Sequence, residues 1–356
     1  MNNRLVRNLL AITAMSSAAL LAIAAPPPPM DHLSFTIDSP GTRDEPKQII
    51  AHINALTKPI SQMRVTNGTV VPEGGGPSFI RFAIGTSGRY SICGGTLINP
   101  TTIVSAAHCF YSTQFPSNTK PASYVYVFAG DLKVQYNSYV MATKVTIHPN
   151  YNPGRYFNDI AIVRVDPLPI KKGSIEPMPI YNGSINPRQE LSIYGWGTIR
   201  SHGTSDDTAS TLLTQTVYVS EPKDCQVIEP TYQNANGLQI CVNNNYHVGV
   251  DVCQGDSGTG ITIKDSGKEY LAGLVSYGTD AQGNATCGER GSFGIYSNVY
   301  YQRAWIESVT GISLVTGPLN SPTSSPTPTP NPSATPTQTP APTTSSRNCL
   351  LFIFCF

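Results

Sequence analysis

The sequence predicts an all-β fold, a sandwich or barrels, followed by one C-terminal helix. Three observations predict it. Short runs rich in aliphatic, β-branched and aromatic residues recur between positions 65 and 312, each bounded by turn residues. Gly and Pro are abundant, at 30 each, as in a turn-rich β protein that also carries a low-complexity segment. Only one stretch late in that region has helical spacing.

The elements follow in chain order. Arg4 and Arg7 precede an apolar run, Leu9 to Ala25, and Ala22 and Ala24 form a small-x-small cleavage site. A bilayer span needs roughly 20 residues. This Ala-rich run is marginal for that, so residues 1–24 read as a removable signal peptide rather than an anchor. Residues 25–64 are Pro-punctuated, free of cysteine and weakly patterned, and read as a pro-segment or a poorly ordered extension. The body then supplies "SFIRFAI", "SYVYVFAG", "YVMATKVTI", "DIAIVRV", "TLLTQTVYV", "GITIK" and "YLAGLVSYG" as strands, with turns such as "PEGGGP" and "YNGSINP" between them. Val299–Val309 is expected to be a helix with Trp305, Ile306 and Val309 on one face.

Residues 317–347 collapse to Pro, Thr and Ser, which cannot bury enough apolar surface to fold, so they read as an extended stalk of the kind that carries O-glycans. The chain ends in a short apolar tail, 348–356, that holds Cys349 and Cys355 and is too short to span a bilayer. Export places the eight cysteines in an oxidising compartment, where an even count suggests disulfides; spacing alone does not choose the pairs. Charged residues are only 13% and the net charge is +1, which argues against a nucleic-acid partner.

Chemistry is narrowed by elimination. The histidines stand at 32, 52, 108, 148, 202 and 247, and no two are four apart, so there is no H-E-x-x-H zinc helix. No histidine follows Ser257, which excludes the order Ser, acid, His if Ser257 is a nucleophile. Thr259 breaks the G-x-S-x-G elbow, and no Gly-rich phosphate loop with Lys is present. An aspartate before His108 would come from the pro-segment (Asp31, Asp38 or Asp44), a segment expected to be discarded, so that order is discounted.

The order His108, Asp159, Ser257 remains. A serine hydroxyl needs a neighbouring base, and the base needs a buried acid to orient it. His108 follows a β-type run and precedes Cys109. Asp159 heads the apolar run "DIAIVRV", where an unpartnered carboxylate would be costly. Ser257 lies between Asp256 and Gly258, close to Gly255, where main-chain N–H groups can be approached.

"VTNG", "CGGTLINPTTIVSAAHC", "NDIAIVRV", "YGWGT", "CQGDSGTG", "LVSYG" and "FGIYSNV" together resemble the chymotrypsin-like serine proteases, and the trypsin branch in particular, over residues 65–312. The resemblance implies two perpendicular six-stranded antiparallel β-barrels with the site between them, and the disulfides Cys93–Cys109, Cys225–Cys241 and Cys253–Cys287. It implies Ser257 as nucleophile, His108 as base, Asp159 as orienting acid, and the N–H groups of Gly255 and Ser257 as oxyanion donors. Asp251 falls where that branch places a carboxylate at the pocket base. Ser276, Gly278 and Gly294 would line the substrate site. Cleavage after Arg64 would free Val65, whose ammonium would pair with Asp256.

The implied activity is endopeptidase cleavage after Arg or Lys. Val252 lacks the hydroxyl that many trypsins have there, and Lys needs an extra acceptor more than Arg does, so Arg is expected to be preferred. The implied partners are peptide or protein substrates and protein inhibitors of proteases, with the enzyme a monomer that needs no cofactor. The "DLKVQYNS" loop after Asp131 lacks the acidic pair of the family's calcium site, so no metal is expected. Thr259–Gly260 replaces the usual Gly–Pro, and loop 279–286 is longer than in short trypsins. Asn67, Asn182 and Asn284 lie in glycosylation sequons. The implied location is extracellular. Two alternatives differ in kind: a non-catalytic binding relative that keeps the fold, or the same protease tethered to the cell surface by its stalk.

Overall fold

The short runs read from the sequence become strands of two antiparallel sheets. The structure is a computed structural model and describes residues 33–55 and 68–314, except 116, 131, 133–137, 200, 202, 204–207 and 246–247. The expected signal peptide, Arg64, Val65, Asn67, the stalk and the Cys349/Cys355 tail lie outside the described residues, as does most of the "DLKVQYNS" loop.

In chain order the strands are β1 (Ser34–Thr36), β2 (Thr69–Val70), β3 (Phe79–Thr86), β4 (Arg89–Asn99), β5 (Thr102–Ser105), β6 (Val125–Ala129), β7 (Val140–Ile147) and β8 (Ala161–Val165). The second half adds β9 (Glu190–Gly195), β10 (Leu213–Tyr218), β11 (Gln239–Asn243), β12 (Gly260–Asp265), β13 (Lys268–Asp280) and β14 (Ser292–Asn298). The helices are α1 (Glu45–Ala55), α2 (Pro222–Cys225) and α3 (Arg303–Thr310).

The first sheet runs β1-β4-β3-β6-β7-β8-β5, and β5 also pairs with β4, so six strands close into a barrel with β1 added outside. The second runs β11-β14-β13-β12-β9-β10-β2, and a bridge between Val219 and Val242 joins its two sides, with β2 as the added strand. The β3–β4 hairpin turns at Ser87 and Gly88, both at positive φ (54° and 84°), the paired values that a two-residue turn matching strand twist requires.

Period-two alternation explains how one strand serves two cores. In β8, Ala161, Val163 and Val165 enter the first barrel with Ile80, Phe82 and Val127. Ile160 and Ile162 face the other way, into a cluster with Trp196, Leu271 and Leu274. This is why "DIAIVRV" reads as apolar almost throughout.

Two expectations change. The helix begins at Arg303 rather than Val299, because Val299–Gln302 form turns, with the Gln302 N–H donating to the Val299 carbonyl and the Arg303 N–H to the Tyr300 carbonyl. Gly311, at φ 67°, ends the helix in the left-handed conformation. Residues 33–55 are not the poorly ordered extension that their weak pattern suggested. Its strand pairs with β4, and its helix buries Ile49 and Ile53 completely.

Candidate active site

Asp159 stands just before β8 and is fully buried. A carboxylate without partners there would be strongly disfavoured. Three donors meet it. The His108 amide donates to Oδ1 at 2.8 Å, His108 Nδ1 lies 2.7 Å from Oδ2, and the Ser276 hydroxyl donates to Oδ2 at 2.6 Å. The Ser297 hydroxyl also donates to the Asp159 carbonyl, at 2.8 Å. A carboxylate only accepts, so the neutral His108 ring carries its proton on Nδ1 and offers Nε2 as the acceptor.

His108 sits on the 3-10 turn Ala107–Cys109 that follows β5, and the Cys93–Cys109 disulfide ties that turn to β4. The same tie locates Ser257. Its carbonyl accepts from the Gly94 N–H at 2.7 Å and lies 3.7 Å from the Cys109 sulfur. Gly258 and Thr259 then exchange main-chain bonds with Val275 of β13. The serine peptide is thus held between the two barrels, beside the turn that carries His108. The remaining disulfides are Cys225–Cys241 and Cys253–Cys287, so all three pairs are those the resemblance implies.

Gly255 has φ 96°, in the left-handed region that glycine favours. A Cβ on it would stand 2.9 Å from Leu33 Cδ2 and 3.2 Å from Gly197 Cα. The backbone before Ser257 is therefore closely covered.

The two aspartates near Ser257 have different surroundings. Asp251 is buried, and Asn244 donates to its Oδ2 at 2.6 Å. The Val252 N–H and the Tyr296 hydroxyl donate to Oδ1 at 2.8 and 3.3 Å, and the Gly288 N–H to Oδ2 at 3.4 Å. Burial pushes its carboxyl up to about 6, against the opposing pull of these donors. Gly294 makes room for it: a Cβ there would stand 2.8 Å from Oδ1. Gly278 similarly has the Thr286 carbonyl where a side chain would be.

Asp256 accepts from Gly197 N–H at 2.6 Å and Cys253 N–H at 3.0 Å. Burial raises its carboxyl to about 7, while those two bonds and the charge of buried Arg81 act in the lowering direction. The glycines of "YGWGT" now have a reason, since side chains on Gly195 and Gly197 would collide with this carboxylate.

Several site residues were not legible in the chain. Asn244 and Arg81 carry no local motif, and Tyr296 lies in "FGIYSNV" with nothing there to pair it with Asp251; only the fold sets the three beside the two acids. Ser276 lies on β13, the strand expected to line the substrate site, and its hydroxyl also binds the Asp159 carboxylate. Loop 279–286 folds back on β13 through a Thr279–Ala285 bridge, with Asp280 accepting from the Gln282 and Asn284 amides. Cys93, Cys109 and His108 bring three ligand-type atoms together, but the two sulfurs are bonded to each other and offer no thiolate.

The family model described as Trypsin matches residues 65–306. The chain belongs to the trypsin family. Mannan-binding lectin serine protease 1 of Homo sapiens is 26% identical over 263 residues, which are 70% of this chain and 36% of that protein. Transmembrane protease serine 11C of Mus musculus is 31% identical over 62% of this chain and 48% of its own length. Trypsin zeta of Drosophila melanogaster is 33% identical over 61% of this chain and 73% of its own. This trypsin-family chain therefore spans well under two thirds of the first two relatives. Among its described residues no helix is long and apolar enough to cross a membrane.

Proposed function

We propose that this chain is a secreted serine endopeptidase that cleaves after Arg, and less readily after Lys, and is made as a zymogen cut after Arg64. The observation that carries the reading is the Asp159–His108 hydrogen bond set beside the Ser257 peptide. Ser257 Oγ attacks the scissile carbonyl while His108 Nε2 takes the hydroxyl proton. The carbonyl oxygen becomes an oxyanion held by the N–H groups of Gly255 and Ser257. The C–N bond then breaks as the proton passes to the leaving amine, and a water repeats the cycle to free the acid. Asp159 keeps Nδ1 protonated and stabilises the imidazolium.

Asp251 supplies the charge that selects a guanidinium, which can bind two carboxylate oxygens at once. Val252, apolar and buried, offers no side-chain acceptor to an ammonium, which favours Arg over Lys. Asp256 receives the Val65 ammonium after cleavage. The basic and apolar N-terminus supports export.

One experiment tests the core of this. The protein is cut after Arg64, treated with a serine-directed phosphonate, and assayed on matched Arg, Lys and Phe peptides. Labelling of Ser257 and the order Arg, Lys, Phe are expected. No labelling of cut protein defeats the enzyme reading, and equal turnover of the Arg and Lys peptides defeats the preference. An Arg64→Gln protein that is fully active defeats the zymogen switch.

A further inference from the structure

We propose that Leu33–Ala55 is a built-in inhibitor that occupies the leaving-group side of the active-site groove and keeps its place after the chain is cut. The inference rests on the endopeptidase reading above. Its geometry begins with register. β1 pairs antiparallel with β4, Ser34 opposite Ser91, Phe35 opposite Tyr90 and Thr36 opposite Arg89. The Leu33 carbonyl extends the ladder, accepting from the Ile92 N–H at 2.8 Å. The next residues of β4 belong to the catalytic centre, for Cys93 is bonded to Cys109 and Gly94 holds the Ser257 carbonyl. β1 thus starts beside the serine and runs away from it.

A substrate's residues after the scissile bond also leave the serine in the N-to-C direction. β1 therefore has the direction of a leaving peptide, and it uses the main-chain groups of β4 that such a peptide would reach. Leu33 closes the near end, packed on Gly255 beside the oxyanion donors.

The segment is well anchored. Phe35 stacks on His52 at 4.2 Å and on Tyr90 at 5.3 Å. Ile49 and Ile53 are wholly buried in a cluster with Tyr90, Ile92 and Tyr126. The Tyr90 hydroxyl donates to Glu45, and the Ile37 N–H to the Gly88 carbonyl. Residues 25–64 contain no cysteine, so after a cut at Arg64 these non-covalent contacts alone hold the segment.

Cut protein should then discriminate by substrate length. An Arg anilide, with no residues after the bond, avoids β1; a peptide with four residues after Arg must displace it. The test compares cut wild type with cut Ile49→Asp/Ile53→Asp protein, and with the milder Phe35→Ala variant in case the double change impairs folding. The segment is expected to co-elute with wild type and to be lost or weakened in the variants. Its loss should raise kcat/KM for the long peptide tenfold or more and change the anilide less than twofold. A synthetic 33–55 peptide should restore competitive inhibition. Departure of the segment from cut wild type, or an equal response of both substrates, overturns the proposal. If neither substrate is turned over and the phosphonate does not label, the endopeptidase reading has failed. Co-elution in that case still decides docking: retention supports it and loss overturns it.

Discussion

The two barrels bury acid in opposite ways. Asp159, at the entrance to β8 of the first barrel, meets the ring of His108, a donor able to become a cation itself. Asp251 and Asp256, which precede β12 of the second, accept hydrogen bonds from neutral groups, and burial pushes both carboxyls up, to about 6 and about 7. A carboxylate paired with an imidazole has a partner that can take up a proton in place. On the proposed function a cation is delivered to each, by a substrate side chain to Asp251 and by a new N-terminus to Asp256, where it adds to the charge of Arg81. In that reading the difference separates catalysis from selection and activation.

The largest effect should come from the built-in pair. Asp159→Asn is expected to lower kcat by about 10⁴-fold, because the amide would favour the wrong His108 tautomer. Steady-state kinetics on an Arg peptide check this, and a loss below tenfold would break the contrast between the barrels. Asp251→Asn should come next. Removing one partner of a buried ion pair costs about 3–5 kcal/mol, so kcat/KM for Arg peptides should fall about 10²–10⁴-fold. Turnover of a Phe peptide should not fall with it; parallel losses on both would deny Asp251 its selective role.

The third prediction concerns pH and stability. Asp256 has a folded value near 7, above the carboxylate range near 4 of an unfolded chain. Such a group favours the folded state at low pH, and that contribution is lost as pH rises from about 4 through about 7, on the order of a few kcal/mol. Uncut protein should therefore destabilise over this window, and Asp256→Asn should flatten the slope in denaturant titrations. Cutting after Arg64 should flatten it too, since the ammonium pulls the carboxyl down. In the cut enzyme, activity should decline above about pH 8 as that ammonium loses its proton. A slope unchanged in Asp256→Asn would remove the acid from this account.

The smallest effect sharpens the first. Ser276→Ala removes one of three donors on Asp159, and a hydrogen bond to a charged group is worth about 1.5–3 kcal/mol. A fall in kcat of about 10- to 100-fold with KM unchanged is expected. Rescue by Ser276→Thr would show that the hydroxyl positions the acid.

Much of the site was legible in the chain because its signals are local. "SAAHC", "NDIAIVRV" and "CQGDSGTG" each hold a candidate catalytic residue beside the cysteine, glycine or apolar run that places it. Other parts depend on residues far apart. Asn244 and Tyr296 reach Asp251 only because β11 and β14 are neighbours in the second sheet. The start of α3 was misplaced by four residues, since apolar spacing does not distinguish a turn from the first helical turn.

The sequence by itself determined the all-β character, the order His108, Asp159, Ser257 and the family, because these follow from short-range pattern and from residue chemistry. Only the tertiary structure decided that Leu33–Ala55 is ordered. Its own pattern is weak, and its strand and helix are held by Tyr90, Ile92 and Tyr126, which the chain supplies later. Only the fold, likewise, gave Asp159 a bond from Ser276, set Asp251 among neutral donors, and put Asp256 between main-chain N–H groups and the charge of Arg81. Burial and partnership are set by what packs from elsewhere, and they decide how each acid holds its proton.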